Sequence, residues 1–309
     1  MTNAQRFAIS LMIAQAVLFA GETAAIHQIG PQMPAMLVGL CRAAGGVMLA
    51  VVLAGQAGLA VMRTRQLTLQ LLRGAVSLLY LWVMIYSFSY MPFADATAIS
   101  YTQVAYIAVF SVLILGETVS AARWFAAMIA VAGALLIAQP GFAGWNIVYL
   151  VAIAGTSLNG LAFVLNRYLQ REDSEATTMF YSNLVPLLGN VPILALAGLP
   201  AADCMLWLPG IVLLGPLGMF AGIVAVRHAD AAMLAPYTLL RLVIAILGGL
   251  LIFREATDGM GLLGAGLIIA GCILSARAGT ATPATSMLGR ARSLAPSWIC
   301  LQPAPLPER

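Results

Sequence analysis

The sequence predicts an all-α integral membrane protein whose ten transmembrane helices form two inverted five-helix repeats, with both termini in the cytoplasm. Hydrophobic residues make up 62% of the chain and charged residues 8%, whereas about a quarter of a soluble domain is charged. Apolar runs of about 20 residues, long enough to cross a bilayer, recur along the chain. The segment 91–141 is also repeated, with changes, as 230–278. These observations exclude an ordinary soluble domain.

The predicted spans follow the apolar runs from the amino terminus onward, and their ends are set by turns, prolines and arginines. The first span is treated as retained, because its apolar region is longer than that of a usual signal peptide and further spans follow. The spans are 7–27, 34–54, 69–88, 93–115, 122–139, 145–166, 177–197, 206–226, 231–253 and 259–277.

The duplication divides the chain into a first repeat, 1–141, and a second repeat, 142–278. Glu117 recurs as Glu255 and Gly133 as Gly271, both at an offset of 138 residues. Because five spans per repeat is an odd number, the second repeat enters the membrane upside down. Residues 279–309 are rich in Ser, Thr, Pro and Arg and lack helical periodicity, so we expect a disordered cytoplasmic tail.

The arginines set the predicted orientation, because the chain contains no lysine. With the amino terminus inside, twelve of the 15 arginines lie at the cytoplasmic side, Arg254 lies outside, and Arg42 and Arg241 lie within spans. Cytoplasmic positive charge is the usual determinant of orientation. We therefore expect a multi-pass protein of the bacterial inner (plasma) membrane. The net charge of +4 is explained by these loops and does not indicate a nucleic-acid partner.

The chain has Gly21 in the first span, Met91-Pro92 before the fourth, Gly116-Glu117 after the fourth and Ala235-Pro236-Tyr237-Thr238 in the ninth. In the order and spacing of these short motifs it resembles the EamA-type transporters of the drug/metabolite transporter superfamily. The resemblance covers residues 7–277 and implies a ten-helix, two-repeat carrier that moves small metabolites by alternating access through a central cavity. Two positions depart from the family pattern, since Ala20 replaces a common Trp and Arg254 replaces the Gly of a second Gly-Glu pair. The residues that we assign to the structural family motif are Gly21, Pro92, Glu117, Gly133, Pro236, Glu255 and Gly271.

Charged residues within spans are the main candidates for a binding site, because a charge at mid-membrane costs about 2.5–3.5 kcal/mol. Glu22, Arg42 and Arg241 are such residues, and Tyr237 shares a helical face with Arg241. The alternatives are an interfacial carboxylate for Glu22 and a structural ion pair for Arg42. The predicted substrate-binding residues are Arg241, Tyr237, Tyr101, Glu22, Arg42 and Asn159.

Two other charged residues are expected to act outside the site. Arg73 is predicted to extend from the start of the third span to the cytoplasmic headgroups. Glu117 is predicted to lie near the amino terminus of the helix that follows it, where the helix dipole favours a carboxylate.

The functional hypothesis is an inner-membrane carrier, more an exporter than an importer, of a small polar metabolite such as an amino acid. Arg241, with Arg42, would bind a substrate carboxylate, and Glu22 would bind an ammonium group or exchange a proton. A hydrophobic-drug exporter is the nearest alternative, and a membrane-embedded enzyme is a further one. No cofactor or metal site is expected, because His27 and His228 would lie on opposite sides of the membrane. The sequence leaves open whether the carrier forms a homodimer.

Overall fold

The computed structural model describes residues 2–29, 34–55, 63–90, 96, 99–139, 141, 147–197, 207–248 and 259–278. Regular structure within these residues is helical. Of the predicted family-motif residues, Pro92 and Glu255 lie outside the described residues, as does the tail 279–309. The helices are α1 (Asn3–Ile29), α2 (Ala35–Ala54), α3 (Leu67–Tyr90), α4 (Gln103–Leu115), α5 (Ala121–Ala138), α6 (Ile147–Leu169), α7 (Glu175–Ala197), α8 (Gly215–His228), α9 (defined below) and α10 (Gly259–Arg277).

Two of the helices are irregular. A π-helical turn, Gly210–Leu214, runs directly into α8. We use α9 for three consecutive segments, the α-helical Ala231–Leu234, the 3-10 segment Ala235–Leu239 and the α-helical Leu240–Gly248. Pro236 accounts for the tighter middle segment, because proline has no backbone N–H to donate to the preceding turn.

Seven helical segments among the described residues are long and apolar enough to cross a membrane, and two more are shorter and apolar. The long segments include α1, α2, α3, α5 and α6 together with Gly210–His228 and α10. The shorter ones are Ile99–Leu115 and Ala231–Ile244. A bundle of several apolar spans is a multi-pass membrane protein.

The helices pack mainly as pairs that join the two halves of the chain. These pairs are α1 with α8, α2 with α7, α3 with α6 and α5 with α10. In the last pair, a Cβ atom added to Gly133 would lie 2.5 Å from the carbonyl oxygen of Gly264, and one added to Gly271 would lie 2.8 Å from that of Ala126. Small residues therefore let these two backbones touch. These faces are used within the chain, so a homodimer would need other surfaces.

Several helix ends meet at one end of the bundle, which we call the N-terminal face because α1 begins there. The rings of Phe7 and His228 lie 5.2 Å apart, which brings the start of α1 to the end of α8. The hydroxyl of Thr64 donates to Asp173 Oδ2 at 2.5 Å and Gln70 Nε2 donates to the same oxygen at 2.8 Å. The start of α3 is thereby tied to the loop between α6 and α7.

Candidate functional site

The candidate site is a cavity of about 420 Å³ between the two halves of the bundle. Its lining reaches from Arg73 and Asn166, towards the N-terminal face, to Ile26 and Val38, close to the end of α1 and the start of α2. Cavities of 300–1,000 Å³ are typical of small-molecule sites. The cavity therefore has the size of a metabolite site and extends towards the face opposite the N-terminal one.

Five of the six predicted substrate-binding residues line this cavity. They are Arg241, Tyr237, Glu22, Arg42 and Asn159. The sixth, Tyr101, is 5% exposed and belongs to the buried apolar cluster that also contains Val104 and Val164. The Tyr237 hydroxyl donates to the Cys272 carbonyl at 3.0 Å, so this side chain also anchors α9 to α10.

Glu22 and Arg42 form an ion pair within the cavity, with Arg42 Nε 2.6 Å from Glu22 Oε1. The pair rests on the backbone of Gly215, where an added Cβ would lie 2.1 Å from the Glu22 oxygen and 2.8 Å from Arg42 Nε. Arg42 also lies over the ring of Phe19, 5.5 Å from its centroid. Each charge thus compensates the other in this conformation, and Gly215 provides the space for both.

Asn159 belongs to a chain of side-chain hydrogen bonds that crosses the cavity wall. It donates through Nδ2 to Gln103 Oε1. Gln103 in turn donates through Nε2 to the Thr238 hydroxyl at 3.4 Å, and that hydroxyl donates to the Ala235 carbonyl at 2.7 Å. This chain connects α4 of the first half with α6 and α9 of the second.

The two remaining cations of the cavity have no carboxylate partner among the described residues. Arg241 lines the cavity from α9 and forms no hydrogen bond or ion pair with a described residue. Arg73 is 5% exposed and donates to Asn166 Oδ1 at 2.9 Å and to the Ser77 hydroxyl at 3.0 Å. The prediction that Arg73 reaches the headgroups is therefore wrong. Its hydrogen bonds hold it between α3 and α6, about 9 Å along α3 from Leu67, with little exposed surface.

Sequence reasoning missed Arg73, Asn166, Gln103 and Thr238 as lining residues. A usable signal existed for Asn166, which lies seven residues after Asn159 and therefore on the same stripe of α6. For Arg73 the sequence offers no such signal, because its burial depends on the packing of the adjacent Gly74, whose added Cβ would lie 2.7 Å from Val185 of α7. Close packing at that level places the residue inside the bundle.

A cluster of charged side chains lies at the N-terminal face, beyond the end of the cavity that Arg73 and Asn166 line. Arg167 contacts Glu117 Oε1 at 2.7 Å, Asp230 Oδ1 at 3.3 Å and the carbonyls of Val226 and Ala229. Arg123 contacts Asp230 Oδ2 at 3.0 Å. We call Glu117, Arg123, Arg167 and Asp230 the ionic cluster. It joins α4, α5 and α6 to the junction of α8 and α9.

Glu117 acts at a different helix from the one expected. It accepts hydrogen bonds from the backbone N–H groups of Ala231 and Ala232, at 3.3 and 3.4 Å, at the start of α9. The start of α5 is capped instead by Ser120, whose hydroxyl accepts from Arg123 N. Burial raises the pKa of Glu117 above its ordinary value of 4.5, and Asp230 adds to the rise, while Arg167 and the two N–H groups oppose it.

Comparisons with known proteins agree with this architecture. Residues 6–139 match the EamA-like transporter family. The chain is 26% identical over 272 residues to a pseudopaline exporter of Pseudomonas aeruginosa, covering 87% of this chain and 95% of that protein. It is 25% identical over 284 residues to a riboflavin transporter of Brucella anthropi, covering 89% of this chain and all of that protein.

Two further similarities extend this picture. An S-adenosylmethionine uptake transporter of Rickettsia conorii is 24% identical over 211 residues, covering 67% of this chain and 71% of that protein. One solved crystal structure superposes with a TM-score of 0.76 at 17% identity, covering 93% of this chain and 98% of the other, and so shares the fold. The chain is therefore similar to the EamA-like transporter family over residues 6–139 and to named transporters over most of its length, which supports a multi-pass membrane transporter rather than an enzyme.

Proposed function

We propose that this transporter is a secondary carrier of the bacterial inner membrane that exports a small, carboxylate-bearing polar metabolite. Transport of a small metabolite is supported by relatives that are named for pseudopaline, riboflavin and S-adenosylmethionine. The observation that carries the carboxylate assignment is Arg241, a guanidinium that lines the cavity with no carboxylate partner among the described residues. A charge held there without a counter-ion is costly, and a substrate carboxylate would compensate it.

The proposed mechanism is alternating access by two inverted repeats, 1–141 and 142–278. The helix pairing supports this symmetry. If α1 corresponds to α6, α2 to α7 and so on through α10, the contact between α1 and α8 corresponds to the contact between α6 and α3. The pairs α2–α7 and α5–α10 each consist of two corresponding helices, so the symmetry exchanges the two members of each pair. A two-fold relation between the halves has this property.

The arginine distribution assigns the N-terminal face to the cytoplasm, with both termini inside. The described conformation would then be closed to the cytoplasm by the ionic cluster and open to the outside. For export, the ionic cluster must break so that the substrate can enter from the cytoplasm. It must form again when the cavity opens outward.

Glu22 is the proposed coupling residue. Its carboxylate is paired with Arg42 in the described conformation, so it does not need an ammonium group as partner. Coupling is proposed to act through this pair, because any event that separates Glu22 from Arg42 changes the charge that the cavity presents to a substrate. A Glu22→Gln variant that keeps both its transport rate and the pH dependence of transport would remove the coupling role.

The test of the proposed function compares metabolites inside and outside cells that express the wild type or Arg241→Gln at equal protein levels. Arg277→Gln is the matched control, because Arg277 is exposed at the end of α10. A carboxylate compound enriched outside only with the wild type and the control would support export. Accumulation inside would reverse the direction.

A hydrophobic-drug exporter of the same fold is the second candidate, favoured by the apolar and aromatic residues of the cavity such as Phe19, Tyr80 and Phe163. Such a carrier would tolerate the loss of Arg241. Retained export of a neutral, apolar compound by Arg241→Gln would decide for this alternative.

A further inference from the structure

The described lining of the cavity carries an excess of positive charge. It contains three guanidinium groups, on Arg42, Arg73 and Arg241, and one carboxylate, on Glu22. Arg42 and Glu22 neutralise each other at 2.6 Å. Two cations therefore remain in a cavity of about 420 Å³ inside a membrane protein. A single substrate carboxylate would compensate one of them.

Arg73 is the more buried of the two cations and is the one whose charge most needs an anionic partner. It is 5% exposed, and the oxygens that accept its hydrogen bonds belong to neutral side chains, Asn166 and Ser77. A guanidinium has five N–H donors, so three remain for another partner. Arg73 also lies within electrostatic range of Arg42, a like charge. The buried Arg73 charge without a counter-ion and its repulsion from Arg42 both destabilise the cavity when no ligand is bound.

Ser182 provides a second, independent observation at the same cavity. It lines the cavity from α7, is 2% exposed, and its hydroxyl has no hydrogen-bond partner among the described residues. A buried hydroxyl without a partner costs about 1–3 kcal/mol. Such a group can donate to an anion bound in the cavity.

A purely structural role accounts poorly for the charge at Arg73. Its two hydrogen bonds tie α3 to α6 and to its own next turn, and a neutral Gln could make bonds of this kind without the cost of desolvating a charge. Packing at this level is already fixed by Gly74, whose added Cβ would lie 2.7 Å from Val185 of α7. The charge itself therefore points to an anionic ligand.

Arg73 and Arg241 approach the cavity at different depths. Arg73 lies six residues into α3 and Arg241 ten residues into α9, and both helices start at the N-terminal face. Because the 3-10 segment Ala235–Leu239 rises more steeply than an α-helix, these positions correspond to roughly 9 and 17 Å along the helices. The two side chains therefore start from levels roughly 8 Å apart along the bundle, so two acidic groups on one molecule can compensate them separately.

We infer that the substrate carries two separate acidic groups, one bound by Arg241 and the other by Arg73 with the Ser182 hydroxyl. The inference rests on the proposed function and extends it, since a single-carboxylate amino acid would leave Arg73 uncompensated. The substrate class is thus a dicarboxylate, such as an amino acid with an acidic side chain. Its net negative charge matches the excess positive charge of the cavity.

The test measures ligand-induced thermal stabilisation of the purified full-length transporter with glutamate, α-aminoadipate and glutamine as probes. Glutamine keeps the α-carboxylate and replaces the second acid by an amide of nearly equal size. We expect the better diacid to bind at least tenfold more tightly than glutamine in the wild type. Arg73→Gln should lower the affinity for the diacid to that of the wild type for glutamine, and Arg65→Gln, at an exposed position before α3, should behave as the wild type.

The comparison of diacid and glutamine binding to the wild type tests the two-acid substrate even if Arg73→Gln does not fold. Equal binding of diacids and glutamine would overturn the two-acid substrate and leave the carboxylate assignment of Arg241 standing. Binding of none of the probes would overturn both. A diacid preference that survives in folded Arg73→Gln would remove Arg73 from the second subsite.

Discussion

Replacing Arg167 by Gln should open the N-terminal face of the transporter. The Arg167 side chain is 23% exposed, contacts Glu117 at 2.7 Å and Asp230 at 3.3 Å, and also donates to the carbonyls of Val226 and Ala229. Loss of one partner of a buried pair costs 3–5 kcal/mol. Partial exposure reduces this to about 2–4 kcal/mol, which corresponds to a shift of about 30- to 700-fold between the closed and open states.

The assay is the labelling rate of a cysteine introduced at Ala162, which lines the cavity from α6. The variant is made in a background whose 4 native cysteines are replaced by alanine. A membrane-impermeant maleimide is then added from the side of the N-terminal face. We expect faster labelling in Arg167→Gln than in the parent, because the ionic cluster no longer holds that face closed.

Arg171→Gln is the matched control. Arg171 is exposed at the same face, where it contacts the Leu115 carbonyl at 3.4 Å and lies 5.2 Å from the ring centroid of Tyr168. It does not take part in the ionic cluster, so its labelling rate should equal that of the parent. An unchanged rate in Arg167→Gln, together with a lower thermal stability, would show that the cluster stabilises the fold without gating the cavity.

Three further predictions concern packing and pH. Gly215→Ala should lower the free energy of unfolding by about 1–3 kcal/mol, because the added Cβ displaces the ion pair between α1 and α2. This loss should be smaller in a background where the arginine of that pair is replaced by alanine. Gly264→Val should destabilise by about 1–3 kcal/mol, because it separates α5 from α10. Gly266→Val should be neutral, because a Cβ added there meets no atom of a described residue within 4 Å. Because the pKa of Glu117 is raised in the folded state, its contribution to the free energy of unfolding should fall as pH rises from 4.5 through that raised pKa. In Glu117→Gln, a plot of the free energy of unfolding against pH should lack this decrease.

The sequence was a reliable guide to the helices, because each depends on a local pattern. The predicted span 7–27 lies within α1, Asn3–Ile29, and the span 259–277 coincides with α10. An apolar run of the right length indicates a helix whatever lies around it. The irregular turns were less accessible. The π-helical turn Gly210–Leu214 carries no local signal that distinguishes it from an α-helix.

The pairing of charges could not be predicted from spacing. Glu117 and Arg167 are 50 residues apart, and their contact depends on how α4 and α6 meet at the N-terminal face. Helical periodicity specifies which residues share a face of one helix, not which helix packs opposite. For the same reason, the sequence wrongly predicted that Arg73 extends to the headgroups. Its burial follows from the packing of Gly74 against α7, which only the assembled bundle shows.

Binding of a substrate carboxylate by Arg241 is the central feature of the proposed mechanism. The most direct measurement is flux of the transported metabolite in proteoliposomes, for the wild type, Arg241→Gln and the exposed control Arg277→Gln. We predict that Arg241→Gln lowers the flux at least tenfold, equivalent to about 1.4 kcal/mol, while the control stays at the wild-type level. Equal flux in all three proteins would contradict the assignment.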